Sequence, residues 1–246
     1  MKFAVIAAIG VSVLASSAFA ASAPAAAAGA AAAKPNTRTF DPHDLAGVWT
    51  HSSRAVFNWS LNEKYAAILK KRRDDEAAGR PLLKANSCSP APLIEMMTRP
   101  VGPLEFAPIH DDRLVISKSN GSIYRVYFKR PHPAPEDVEP SLFGDAVGHW
   151  EGDTLVIDTV GLGGTDFTDG QIPHSPVMHV VQRLRRTAFD KLENRITVED
   201  AEAFTRPATA VQIYTLTPDE ELNEFYCTND RIVYDSNGKV SIAPPH

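Results

Sequence analysis

Cysteine is nearly absent: Cys88 and Cys227 are the two in 246 residues. That excludes a disulfide-dense miniature scaffold, and thiols this far apart make a poor zinc site without well-spaced histidines. Long apolar runs are missing too, since the stretch from Phe3 to Leu14 is too short to span a bilayer. Positive charge is in deficit, with 25 Lys and Arg against 30 Asp and Glu and a net charge of −5. Nothing in that balance favours nucleic acid or an anionic membrane as a partner. No G-x-S-x-G elbow, H-E-x-x-H pair or phosphate loop occurs. No cofactor and no metal are therefore expected.

What is present begins with an address. Met1-Lys2, the apolar run and Ala18-Phe19-Ala20 read as a secretory signal peptide cut after Ala20. No cysteine follows that would carry a lipid anchor, so the expected location is the periplasm or the medium, with no membrane anchor after cleavage. Residues 21–39 read as a disordered Ala-rich leader, and 40–246 as one β-rich domain. In an oxidising compartment Cys88 and Cys227 are expected to pair. The roughly 140-residue loop so closed is worth about 4–5 kcal/mol of chain entropy.

The central stretch is GDAVGHWEGDTLVIDT, Gly144 to Thr159, which reads as a β-hairpin turning at Glu151-Gly152-Asp153. Further strands are expected over 45–50, 104–109, 113–118, 122–128, 177–186, 192–199, 208–216 and 221–228. A last hairpin passes through Asp235 to Gly238. Asn120-Gly121 is the strongest turn signal of the set. Helix is expected from Ser60, a capping serine with Glu63 three residues on, to Gly79. Its run KKRRDDE reads as a solvated face with Lys70–Asp74 and Lys71–Asp75 pairs. Residues 88–103 read as Pro-rich and irregular, with Met96 and Met97 filling gaps. The pattern predicts a mainly β fold, an antiparallel barrel or strongly curved meander sheet with one long N-terminal helix. L-x-G-x-W at Leu45 to Trp49 is a frequent opening of small barrels, and a lipocalin or calycin-like architecture fits.

From about Cys88 to Asn229 the chain resembles a family of uncharacterised exported bacterial proteins. The resemblance is carried by Arg130-Pro131-His132-Pro133, the Gly144–Thr159 block, Pro173-His174-Ser175 and Cys227. It implies a secreted β-rich domain and no particular activity. The chain departs from the family in having Ala91 between Pro90 and Pro92, where a glycine is usual.

The candidate chemistry is imidazole with carboxylate. Singly, His132, His149, His174 and His179 each read as surface or core hydrogen-bonding residues. Together, strand pairing is expected to bring His132, His149 and His174 near Asp145, Asp153, Asp166 and Asp169, and a His–Asp pair exchanges protons near neutral pH. His149, Asp153 and His174 are the expected catalytic residues. Trp150, His132, Tyr124, Arg183 and Phe167 are the expected substrate contacts, with arginines 125, 183 and 185 clamping a carboxylate at a barrel mouth. The expected function is an exported small-molecule-binding barrel, a lyase or isomerase acting on a hydrophobic or aromatic substrate. A periplasmic carrier and an envelope interaction protein remain as alternatives.

Overall fold

Period-two alternation decides which side of each strand is buried, and the computed structural model follows it closely. It describes residues 38–80, 90–163, 172–223, 232–236 and 240–242. The signal and leader, Cys88, Phe167, Asp166, Asp169, Cys227 and most of the strand expected over 221–228 lie outside the described residues. Nine strands close into a barrel in chain order: β1 (Gly47–His51), β2 (Leu104–Ile109), β3 (Arg113–Lys118), β4 (Ile123–Tyr127), β5 (Asp145–Glu151), β6 (Thr154–Val160), β7 (His179–Ala188), β8 (Lys191–Glu199) and β9 (Ala208–Leu216). β9 pairs back onto β1, so no edge is left among the nine. A separate two-stranded sheet joins β10 (Ile232–Tyr234) to β11 (Val240–Ile242).

One pairing departs from the antiparallel expectation. β5 lies parallel to β4, Val126 beside Ala146 and Tyr127 beside Val147. A parallel neighbour needs a long crossover, and the proline-rich arm from Lys129 to Phe143 supplies it. The arm returns the chain across the outside of the barrel before β5 begins. Gly144 makes the re-entry at φ +64, where a Cβ would collide with the Val160 carbonyl oxygen.

The interior is filled. Trp49, Phe106, Ile116, Tyr124, Leu155, Leu184 and Tyr214 are fully buried. A polar chain threads them. Asn194 Nδ2 donates to Gln182 Oε1 (2.9 Å), Gln182 Nε2 to the Tyr124 hydroxyl (3.2 Å), and Tyr124 lies 2.6 Å from Thr159 Oγ1. The Tyr214 hydroxyl donates to the Met97 carbonyl at 2.6 Å. Met97 belongs to α2 (Leu93–Thr98), a helix that the sequence reading missed in a stretch taken as irregular. Pro92 at its N-cap and five buried residues of six explain it, because packing against the barrel end outweighs weak local propensity. Lys118 holds the same helix, its Nζ donating to Arg99 O at 3.0 Å and Met96 O at 3.4 Å. The other end closes over Trp49, whose Nε1 donates to Leu45 O, with the Arg186 guanidinium 5.5 Å from the indole.

The long helix, α1 (Glu63–Ala77), starts two residues later than the capping serine implies. Asn62 is the N-cap, accepting from Tyr65 N, while Ser60 is engaged with Thr205, hydroxyl to hydroxyl at 2.5 Å. The Lys70–Asp74 and Lys71–Asp75 pairs form at 2.6 and 2.5 Å on its exposed face.

Candidate functional site

The β5–β6 hairpin runs the height of the barrel, and its two ends divide the residues expected to act together. His149 and Asp153 are exposed at the turn end. His174 precedes β7, whose Val180 pairs with Thr159 at the opposite end of β6. Seven strand residues put roughly 20 Å between these ends. His149, Asp153 and His174 thus do not form one centre. His174 is buried and donates from Nδ1 to Ser175 O (2.9 Å). Ser175 is bound to Asp200 through both its N–H (2.6 Å) and its hydroxyl (2.8 Å).

The remaining expected contacts are scattered for the same reason of strand parity. Tyr124 points inward and is fully buried, so it belongs to the core. Arg183 points outward and pairs with Glu151 at 2.7 Å, and Arg125 and Arg185 are exposed on outward positions. Trp150 and His149 line a cleft at the turn end, and His132 lines another at the α2 end.

Around His132 the acid–base groups do converge. The arm lays Arg130 and His132 over outward positions of β5 and β6. Arg130 grips Asp145 with both guanidinium nitrogens, at 3.1 and 2.5 Å, and packs 4.1 Å from the Tyr127 ring. His132 Nδ1 is 2.7 Å from Asp145 Oδ1, and its Nε2 is 3.4 Å from Asp158 Oδ1. The same Asp158 oxygen accepts from His179 Nε2 at 2.7 Å, and His179 Nδ1 faces Glu199 Oε2 at 3.5 Å. Two imidazoles are thus strung between three carboxylates.

The electrostatics assign the protons. Burial alone would push the Asp145 carboxyl up, but hydrogen bonds from Arg130 and His132 outweigh it and hold the group below its ordinary value. Ionised Asp145 can only accept, so His132 Nδ1 is the donor and, in the neutral ring, Nε2 carries the lone pair. That Nε2 is shielded from solvent and has no hydrogen-bond partner among the described residues. The ring is held at Nδ1 and has an open Nε2, with Asp158 Oδ1 at 3.4 Å.

The adjoining cleft, about 450 Å³, is apolar: Pro133, Val138, Pro140, Val160, Val177 and Met178 join His132 in its wall. Such a volume suits a small organic molecule. The chemistry available is proton transfer beside a greasy wall. No group of three or more His, Cys, Asp or Glu among the described residues has metal-binding geometry.

Sequence alone groups His132, His149 and His174 with four aspartates, Asp145 among them, and does not join Asp158, His179 or Glu199 to that set. The usable signal was parity: Asp158 and His179 fall on outward positions of strands that pair with each other. Set against protein-family models and against curated proteins, the chain matches none.

Proposed function

We propose that this is an exported small-molecule-binding barrel whose His132 works as the base of a lyase or isomerase on a hydrophobic or aromatic carbonyl compound. The observation that carries the reading is the arrangement of His132 itself. Asp145 fixes one ring nitrogen, the other has no hydrogen-bond partner among the described residues, and an apolar cleft adjoins the ring. Export is supported by the signal pattern from Met1 to Ala20.

In this reading His132 Nε2 takes a proton from carbon next to the substrate carbonyl, leaving an enolate and an imidazolium. Asp145 and Asp158 flank the imidazolium at 2.7 and 3.4 Å and stabilise its charge. In a β,γ-unsaturated carbonyl compound the imidazolium returns the proton to the γ-carbon of the dienolate; where a leaving group stands on the β-carbon, the enolate expels it to form the alkene and the imidazolium proton goes to the departing group. His179, bonded to Asp158, positions that carboxylate. Because Nε2 is shielded at rest, the Pro131–Pro135 arm must lift for the substrate to reach it.

The test is isotope exchange in D2O, followed by NMR at the α-carbon of a small panel of aryl ketones. The wild-type protein should exchange deuterium faster than an equal concentration of free imidazole. His132→Gln should abolish the excess with little change in melting temperature. Exchange that is no faster than free imidazole, or that survives His132→Gln, would refute the assignment.

A further inference from the structure

The turn end of the barrel carries a second cleft that the His132 chemistry does not use. It also measures about 450 Å³. Leu45, Leu114, Phe128, Trp150 and Leu155 make its apolar surface, and His43, His110, His149 and Asp111 its polar part. Phe128 lies directly on Gly148, where a Cβ would approach the ring to 2.9 Å, so backbone and ring form one flat wall.

The imidazoles here are oriented by acceptors. His43 Nε2 lies 2.9 Å from the Gly152 carbonyl oxygen, and His149 Nε2 lies 3.2 Å from Glu151 Oε1. Hydrogen bonds from Arg183 and then His149 hold the Glu151 carboxyl below its ordinary value, so it too is an acceptor. Both rings must present N–H at Nε2, which leaves lone pairs at Nδ1 when they are neutral. The His43 ring is further fixed by packing on Trp150, centroids 4.4 Å apart.

A second feature points the same way. His110, at the β2–β3 turn bordering the cleft, holds φ +51, a conformation glycine would adopt with less strain. Strained non-glycine residues gather at ligand clamps.

We infer that this cleft binds a neutral aromatic molecule bearing a hydroxyl group. The ring lies against Trp150 and Phe128, and the hydroxyl donates to Nδ1 of His43 or His149. A carboxylate is disfavoured because it brings acceptors to the Nδ1 acceptors of the neutral rings, while the nearby cations Lys129 and Arg183 are already paired with Asp111 and Glu151. The site is separate from the His132 cleft and does not rest on its chemistry.

Calorimetric titration of the full chain with 4-propylphenol, 4-propylanisole and 4-propylbenzoate tests this. The phenol should bind, and the anisole, which keeps the ring but lacks the donor, should bind about ten-fold more weakly, the order expected for one lost hydrogen bond. The benzoate should bind no better than the anisole. His43→Phe with His149→Phe should reduce phenol binding to the anisole level. His149→Phe alone, on the exposed strand face, should weaken it without altering the Trp150 packing. Phenol binding must persist in His132→Gln; its loss there would place the ligand in the other cleft and overturn the inference. Equal affinity for phenol and anisole, preference for benzoate, or no binding at millimolar concentration would overturn it equally.

Discussion

Acidification should destabilise this barrel through one buried ring, His51. The side chain ends β1, points inward and is 7 % exposed. Neither of its nitrogens has a hydrogen-bond partner among the described residues, and its ring lies edge-on to Tyr214 at 5.1 Å. Burial is the main cause that pushes its pKa down from 6.5 to about 4, and the Lys118 ammonium adds to it. The carbonyls of Met96, Met97 and Gly102 favour the protonated form, but none makes a well-formed hydrogen bond to the ring, and they do not offset its desolvation.

Between pH 6.5 and 4 the unfolded chain therefore binds a proton that the folded chain refuses. The stability associated with neutral His51 is fully present above pH 6.5 and is lost as the pH falls toward 4. A displacement of this size corresponds to about 3 kcal/mol in full, and to about 2 kcal/mol between pH 7 and 4.5. Urea unfolding of wild type and His51→Phe across that range isolates the term, since other groups titrate in both proteins. Phenylalanine keeps the ring beside Tyr214 and removes the titration. The two stability curves should diverge as the pH rises, wild type gaining about 2 kcal/mol on the variant from pH 4.5 to 7. Parallel curves would mean that His51 is solvated or hydrogen-bonded when folded, and the reasoning from burial would fail.

Three further outcomes follow from other buried groups. Burial lowers the Lys118 pKa from 10.5 to about 8, so wild-type stability should rise between pH 8 and 10, where the unfolded lysine keeps a proton that the folded one has released. Lys118→Met should flatten that rise in the same urea series; a rise that persists in the variant would assign it elsewhere. Above pH 10 the trend should reverse, because burial raises the Tyr124 and Tyr214 pKa values and only the unfolded phenols ionise. Asp200 accepts from Ser175 N, Ser175 Oγ, Glu202 N and Ala203 N while 4 % exposed. Asp200→Ala strands those donors and should cost about 2–4 kcal/mol in chemical denaturation; a loss under about 1 kcal/mol would show that water replaces the carboxylate.

The barrel was legible because its strands are short-range patterns. The Asn120-Gly121 turn, the Gly152 turn and the alternation of Leu114, Ile116 and Lys118 each declare themselves within a few residues. What escaped was set by distant partners. Ser60 satisfies every local rule for a cap, yet its hydroxyl meets Thr205. α2 forms because Met96 and Met97 have a barrel to close, and β5 turns parallel because a long arm allows it. The site failed in the same way. His149 and His174 are 25 positions apart in sequence and each stands near a carboxylate, but the hairpin between them is a spacer rather than a bend. Asp158 and His179 needed the β6–β7 register before they could be joined.

The filled interior decides where chemistry can occur. In the polar chain across the barrel, Asn194 donates to Gln182, Gln182 to Tyr124, and Tyr124 is matched with Thr159. Tyr214 donates its hydroxyl hydrogen bond to the Met97 carbonyl of α2. Apart from Asn194 Oδ1 and the His51 nitrogens, which are buried without a partner among the described residues, these groups are committed to one another, so a ligand entering the axis would have to break bonds in a low-dielectric core. On the outward side the situation is reversed. Among the described residues His132 Nε2 and the His43 and His149 Nδ1 atoms have no hydrogen-bond partner, and apolar clefts adjoin all three. Unspent hydrogen-bonding capacity beside apolar surface is what a small polar-headed molecule can use. The hairpin that separates the two clefts also carries Asp145, Asp158 and His149 on its outward face. A barrel of this design holds its core shut and turns these two clefts outward.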